Sequence, residues 1–287
     1  MIKNKPISLI LVTLMYIIAF VGGYFSSIWI KDIYLQLFFA DVVATIIIWI
    51  FSLIFKNSSV YDPYWSLTPW VIATYLLIKT NYYDIYLLIV YIVFSIYSFR
   101  LTINWAITFD NLTWEDWRYQ NYRKNLNPFM FHIANFFGIQ MMPTILVYGA
   151  LLPLLICINN TYSHPLMLIG AAITLIGTIL EFFADHQMHK FLRTTKEKKT
   201  CSLGLWNYSR HPNYLGEILI WIGLFISLIV VDISYWYIGY GCLLIILLFE
   251  FISIPMAEAR HKKRRSDYID YIKSTSRLIL LPKRKIK

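Results

Sequence analysis

The chain has 287 residues, 58% of them hydrophobic and 18% aromatic, and a formal net charge of +10. Only 15% are charged, against about a quarter in a soluble domain, which excludes an ordinary soluble globule. Cys157, Cys201 and Cys242 lie far apart without a CxxC pair, which excludes a disulfide framework and a cysteine-based zinc site.

Apolar segments follow one another over residues 7–29, 33–55, 66–79, 82–107, 135–158, 165–189, 214–231 and 233–257. Most approach the ~20 residues that cross a bilayer. The first resembles a secretion signal, but no small-residue cleavage site follows it, so it reads as a retained span. The second carries Asp41 in its interior, a residue with no assigned role. The third is short, and the fourth and sixth carry polar residues at one end. Helix is predicted throughout, because hydrocarbon offers backbone N–H and C=O groups no partner. No internal repeat or low-complexity linker divides the chain. The expectation is an all-α polytopic membrane protein of about eight transmembrane helices, or seven. It would form a single membrane domain over 1–287, with a basic tail at 260–287.

Charge supports the threading. With a cytoplasmic N-terminus and eight spans, the inside receives Lys3, Lys5, Lys56, Arg118, Arg123, Lys124, Lys190, Arg193, Lys196, Lys198, Lys199, Arg210 and the basic residues from Arg260 onward. The outside receives Lys31 and Lys79. This is the asymmetry that orients multi-span proteins, and it puts both termini in the cytoplasm of a bacterial cell or on the cytoplasmic side of the endoplasmic reticulum. The basic surface then faces anionic lipid. A basic tail that follows a span directly argues against nucleic acid as a partner.

Ionisable groups at membrane depth are costly and mark function. Here they gather at the predicted cytoplasmic ends: Asp62 in "VYDPYWSLTP", Tyr97 and Arg100 in "IYSFRLTINW", Glu115, Asp116, Arg118 and Tyr119 in "WEDWRY", Glu181 and Asp185 in "EFFADHQ", and Glu258 with Arg260 after the last span. Glu181 and Asp185 share a helix face, as do Asn213 and Glu217. Each has a plainer alternative. "WEDWRY" suits an interfacial belt of aromatics and ion pairs. Glu181 and Asp185 suit helix-end pairs with Lys190 or Arg193. Arg100 suits a snorkelling side chain, and Asp62 before Pro63 a turn former. The histidines have no metal spacing supported by a further ligand, so no metal site is predicted.

"GLWNYSRHPNYLGEILIWIGLFI", Gly204 to Ile226, sets Arg210, His211, Pro212, Asn213 and Tyr214 at the mouth of an apolar helix. Pro212 opens the helix where no N–H is missed. The helix N-terminus beside Arg210 suits a phosphate or carboxylate, while Asn213 and Glu217 suit an amide or a ribose. Together these groups suit a phosphate-bearing cofactor entering from the cytoplasm and a lipid-like substrate entering from the bilayer.

"GLWNYSRHPNYLGE" resembles the signature of the steroid 5α-reductase-like membrane family, in its bacterial-type DUF1295 branch. "SSVYDPYWSLTP", "RLTINW", "EDWRY", "EFFADHQ" and the terminal Glu258, Tyr268, Tyr271 and Pro282 extend the resemblance over roughly 57–282. It implies a multi-span enzyme that uses NADPH to reduce a carbon–carbon double bond conjugated to a carbonyl in a lipophilic substrate. It implies Asp62 and Tyr97 as catalytic, with Asp62 positioning Tyr97. It places Asp185, Arg193, Asn213, Glu217, His261 and Tyr268 at the cofactor. Two positions depart from it: Asp62 stands where the steroid reductases carry Glu, and Ser202 where the branch usually carries Asp. The rival expectations are a methyltransferase using S-adenosylmethionine, of the isoprenylcysteine methyltransferase type, and a non-enzymatic lipid-binding protein. The first rival needs no upstream Asp62 and Tyr97, and the second predicts no nucleotide affinity.

Overall fold

The computed structural model describes residues 2–195 and 199–284; Lys196, Lys198 and the last three residues of the basic tail lie outside them. Twelve α-helices run in chain order, with no strand among the described residues. They are α1 Lys5–Ser27, α2 Ile33–Ile54, α3 Tyr64–Thr80, α4 Ile85–Thr108, α5 Trp117–Asn125, α6 Pro128–Ile133, α7 Met142–Asn159, α8 Met167–Thr194, α9 Pro212–Ile229, α10 Tyr240–Leu248, α11 Ile254–Arg264 and α12 Tyr268–Ser274. A π-helical stretch, Ala134–Met141, joins α6 to α7, and another, Phe249–Ser253, joins α10 to α11.

Among the described residues, seven stretches are long and apolar enough to cross a bilayer: α1, α2, α4, Pro128–Asn159, α8, α9 and Ile233–Arg264. This is the architecture of an integral multi-pass membrane protein. The eighth expected segment, α3, is a helix but has only 17 residues. At ~1.5 Å per residue it falls short of a ~30 Å hydrocarbon layer.

The chain divides into two compact units, Met1–Lys79 with Ser98–Gly149, and Thr80–Tyr97 with Ala150–Lys287. In the first, Asn4 and Asp32 cap α1 and α2 by accepting from Ile7 N and Leu35 N. The two helices approach closely: a Cβ on Gly23 would lie 2.4 Å from the Ala40 carbonyl oxygen. Val12, Tyr16, Ala44, Ile48, Val60, Tyr61, Tyr64 and Phe109 close the core around this pair.

The second unit is built on α8 and α9. Gly170 and Gly177 face Gly223 and Gly216, and a Cβ on Gly177 would lie 2.6 Å from the Gly216 carbonyl oxygen. Small residues at a helix crossing let backbones meet where lipid supplies no hydrophobic drive. Gly204 takes φ +56°, a conformation that favours glycine. It starts the turn that tucks Trp206 under α8, where the indole N–H donates to Ala184 O at 2.9 Å. That turn leads directly into Arg210 and α9.

Candidate active site

In the first unit Asp62 closes a 3-10 turn over Ser58–Tyr61. Asn57 and the 112–123 segment brace it. Asn57 accepts from Ser59 N and donates to the carbonyls of Leu112 and Trp114. Glu115 accepts from Ser58 N at 2.9 Å and pairs with Arg123 at 2.9 Å. Asp116 caps α5 at Arg118 N and pairs with the Arg118 guanidinium at 2.7 Å. Glu115, Asp116 and Arg118 therefore serve the turn and its ion pairs, in line with the plainer reading of "WEDWRY". Tyr119 does more: its hydroxyl donates to Asp62 Oδ1 at 2.6 Å.

Burial pushes the Asp62 carboxyl up to about 7, with Asp116 adding to the rise and Arg118 and the Tyr119 hydrogen bond opposing it. Asp62 thus retains a proton over a range in which ordinary carboxyls are charged. The folded chain holds this proton more tightly than the unfolded chain, so stability falls as pH rises from the ordinary 3.8 to about 7. Asp62→Asn is expected to remove that fall. Variant and wild type should melt alike in detergent at low pH. At mildly alkaline pH the variant should be more stable by on the order of 2–4 kcal/mol. Melting curves that stay parallel across the whole range would contradict the assignment.

In the second unit Tyr97, at 1% exposure, and Glu217, at 3%, meet inside the protein. The Tyr97 hydroxyl donates to Glu217 Oε1 at 2.5 Å. The Trp221 indole N–H donates to the same oxygen at 2.9 Å. The Tyr97 ring packs edge-on to Trp221 with centroids 6.0 Å apart, and Phe94 sits at 6.0 Å on the same indole. The resemblance implied that Asp62 positions Tyr97 and that Glu217 serves the cofactor. Within the second unit Tyr97 bonds to Glu217, and within the first Asp62 bonds to Tyr119. Trp221 went unread in the sequence, although it stands one helical turn after Glu217. Glu181 is buried opposite Gly216. Asp185 is half-buried one turn further along α8, and Asn213 is half-buried one turn before Glu217 on α9. Arg100 is half-buried on α4, one turn beyond Tyr97, in the part of that helix assigned to the first unit.

Arg210, expected to hold a phosphate or carboxylate ligand, is engaged by the protein itself. Its Nε lies 2.9 Å from Glu258 Oε1, an ion pair without hydrogen-bond alignment. Its Nη1 donates to the carbonyls of Ile272 at 2.9 Å and Thr275 at 3.4 Å. Its backbone N–H donates to Ser276 O, and Ser209 Oγ donates to Leu278 O. A segment that looked ready for a ligand is thus strapped to the chain after α12. His211 lies 3.3 Å from the same Glu258 oxygen and stacks on Tyr214 at 5.3 Å. Burial holds the His211 imidazole below its ordinary pKa, against the pull of Glu258. Tyr214 packs in turn on Phe249 at 4.8 Å.

Around this strap, His261 and Tyr268 lie ring to ring at 5.2 Å. Tyr268 is 1% exposed, and its hydroxyl has no hydrogen-bond partner among the described residues. An orphaned buried hydroxyl is expensive, and a ligand group would satisfy it. Arg260 is half-buried beside His261, and Arg193 is exposed in the last turn of α8. The second unit therefore gathers a buried acceptor, a buried phenol, an unsatisfied hydroxyl and solvent-facing cations.

A family model described as "Protein of unknown function (DUF1295)" matches residues 48–275. No curated protein and no solved structure matches the chain.

Proposed function

Because the chain belongs to the DUF1295 family, the steroid 5α-reductase-like group, we propose that it is a membrane-embedded, NADPH-dependent reductase. Its substrate is a lipophilic molecule with a carbon–carbon double bond conjugated to a carbonyl. The observation that carries this reading is the buried Tyr97–Glu217–Trp221 cluster, a phenol proton held in a water-excluded site.

The donor set of the second unit suits the cofactor. Glu217 and Asn213 would accept from an amide, and Asp185 would accept from ribose hydroxyls. The Tyr268 hydroxyl, orphaned among the described residues, would donate to a phosphate oxygen. Exposed Arg193 and the Lys262–Lys263–Arg264 run supply positive charge. Arg210 takes no part, because its guanidinium is already engaged. When bound, the dinucleotide supplies the hydride.

The chain's own residues hold the phenol proton in place. Glu217 fixes the Tyr97 hydroxyl, and Trp221 fixes Glu217. As charge grows on the substrate carbonyl oxygen, that oxygen competes with Glu217 Oε1 for the Tyr97 hydrogen bond; the phenol keeps its proton, and the enolate takes its α-proton from water as the product leaves. A preformed donor in a dry site needs no reorganisation at that moment, which is the source of its effect. Asp62, a carboxyl whose proton burial favours, is held by Tyr119 in the other unit. The positive-inside charge pattern supports a cytoplasmic entrance for the cofactor and an α3 that crosses the bilayer as a short eighth span.

The test is the melting temperature of the detergent-solubilised protein with NADPH, with NADH and with S-adenosylmethionine. A ligand that binds the native state raises its stability by mass action, ~2.7 kcal/mol at a hundredfold excess over Kd. NADPH is expected to stabilise the protein. Stabilisation by S-adenosylmethionine alone would move the chain to the methyltransferases, and stabilisation by none of the three would leave a lipid-binding protein.

A further inference from the structure

A half-enclosed cavity of about 100 Å³ lies within the first unit, among α1, α2 and α3. Phe20, Tyr24, Leu37 and Tyr75 give it an apolar and aromatic wall. Four polar residues, Ser27, Gln36, Asp41 and Thr68, break that wall. Asp41, from the middle of α2, is 5% exposed, and its Oδ1 accepts from Tyr64 at 2.8 Å. No other hydrogen bond to the Asp41 side chain is present among the described residues, so Oδ2 retains its acceptor capacity. Thr68 is 3% exposed, and its hydroxyl has no hydrogen-bond partner among the described residues.

A buried carboxyl on α2 and a buried orphan hydroxyl on α3, both lining one cavity, are costly in hydrocarbon. Both costs fall if a ligand group donates to Asp41 and accepts from Thr68, and a hydroxyl does both. The charges around the cavity narrow the choice further. Lys79 donates to Gln36, another lining residue, at 3.1 Å, and this cation disfavours an ammonium headgroup. Asp41 disfavours a carboxylate. The volume is smaller than the ~150 Å³ that admits a benzene ring. It therefore takes a headgroup and a few carbons, with the remaining chain lying along the aromatic wall.

We propose that this cavity binds the hydroxyl end of an uncharged, long-chain lipid alcohol, which donates to Asp41 and accepts from Thr68. The site stands apart from the reductase reading and holds whether or not the chain is a reductase.

Photolabelling of the detergent-solubilised chain tests it. The probe is a long-chain alcohol carrying a diazirine and a terminal alkyne, compared with the carboxylic acid and the primary amine of the same chain. The alcohol is expected to label peptides of α1, α2 and α3, and excess unmodified long-chain alcohol should remove that label. Thr68→Val deletes a hydroxyl that bonds to nothing among the described residues, so the fold should survive. The apparent affinity should drop about five- to tenfold, the effect of one lost hydrogen bond. Val71→Phe, which fills the cavity from α3, should abolish labelling; if it does not fold, Thr68→Val decides alone. Labelling that unmodified alcohol does not compete away, equal labelling by the acid or the amine, or unchanged affinity in Thr68→Val would overturn the proposal.

Discussion

Tyr97→Phe is expected to lower reduction of a lipophilic conjugated ketone by about 10²–10³-fold while leaving stabilisation by NADPH intact. The substitution removes one oxygen and keeps the ring, so the packing against Trp221 and Phe94 persists. Glu217 keeps the Trp221 indole as a donor. The loss should therefore appear in kcat rather than in cofactor affinity, as for a group that acts mainly in the transition state. Glu217→Gln offers a contrast: it weakens the hold on Tyr97 and removes an acceptor from the cofactor, so both kcat and NADPH affinity should fall. A Tyr97→Phe enzyme that works at the wild-type rate would remove Tyr97 from the chemistry.

Glu258→Ala is expected to destabilise the protein by about 3–5 kcal/mol, the usual result of leaving a buried cation without its partner. Arg210 has a side-chain exposure of 9% and Glu258 of 13%, so water does little to compensate. Through Arg210 the damage reaches Ile272, Thr275 and Ser276, whose carbonyls it holds. Hydrogen exchange should therefore rise first in residues 265–284, before α8 and α9 respond. Replacing the pair together, with Arg210→Met and Glu258→Leu, should recover much of the loss, because no charge is then stranded. A melting temperature unchanged in Glu258→Ala would mean that the strap is not held by this ion pair.

The helices were legible because their causes are local. Asn4, Asp32 and Pro212 start α1, α2 and α9 where capping chemistry places them. Apolar runs carry the spans, and the glycines of α8 and α9 mark the close crossing. Boundaries failed where polar residues continue a helix. The last span reads as ending at 257, yet α11 continues to Arg264 because its Lys and Arg side chains reach water while the backbone stays helical. The fifth reads as starting at 135, yet helix begins at Pro128, capped by Asn127.

Within the candidate site, residue types were legible and pairings were not. Asn213 and Glu217 share a face by simple periodicity. No local pattern couples Tyr97 to Glu217, 120 positions away, or Arg210 to Glu258. Arg210 shows the consequence: a cation at a helix N-terminus reads as an anion site until a distant carboxylate and a returning chain are seen to fill it. Asp41 is the converse case. It looked anomalous inside α2, and its neighbours Tyr64 and Thr68 give it a setting that only the fold assembles.

The most direct test of the reductase assignment follows a labelled hydrogen. The purified protein, in detergent or vesicles, is incubated with NADPH deuterated at its transferable position and a panel of lipophilic conjugated ketones, and the products are read by mass spectrometry. The account predicts one deuterium on the carbon β to the carbonyl in at least one saturated product, dependent on Tyr97. Binding of NADPH without deuterium in any product across steroid, polyprenoid and fatty enone substrates would contradict it.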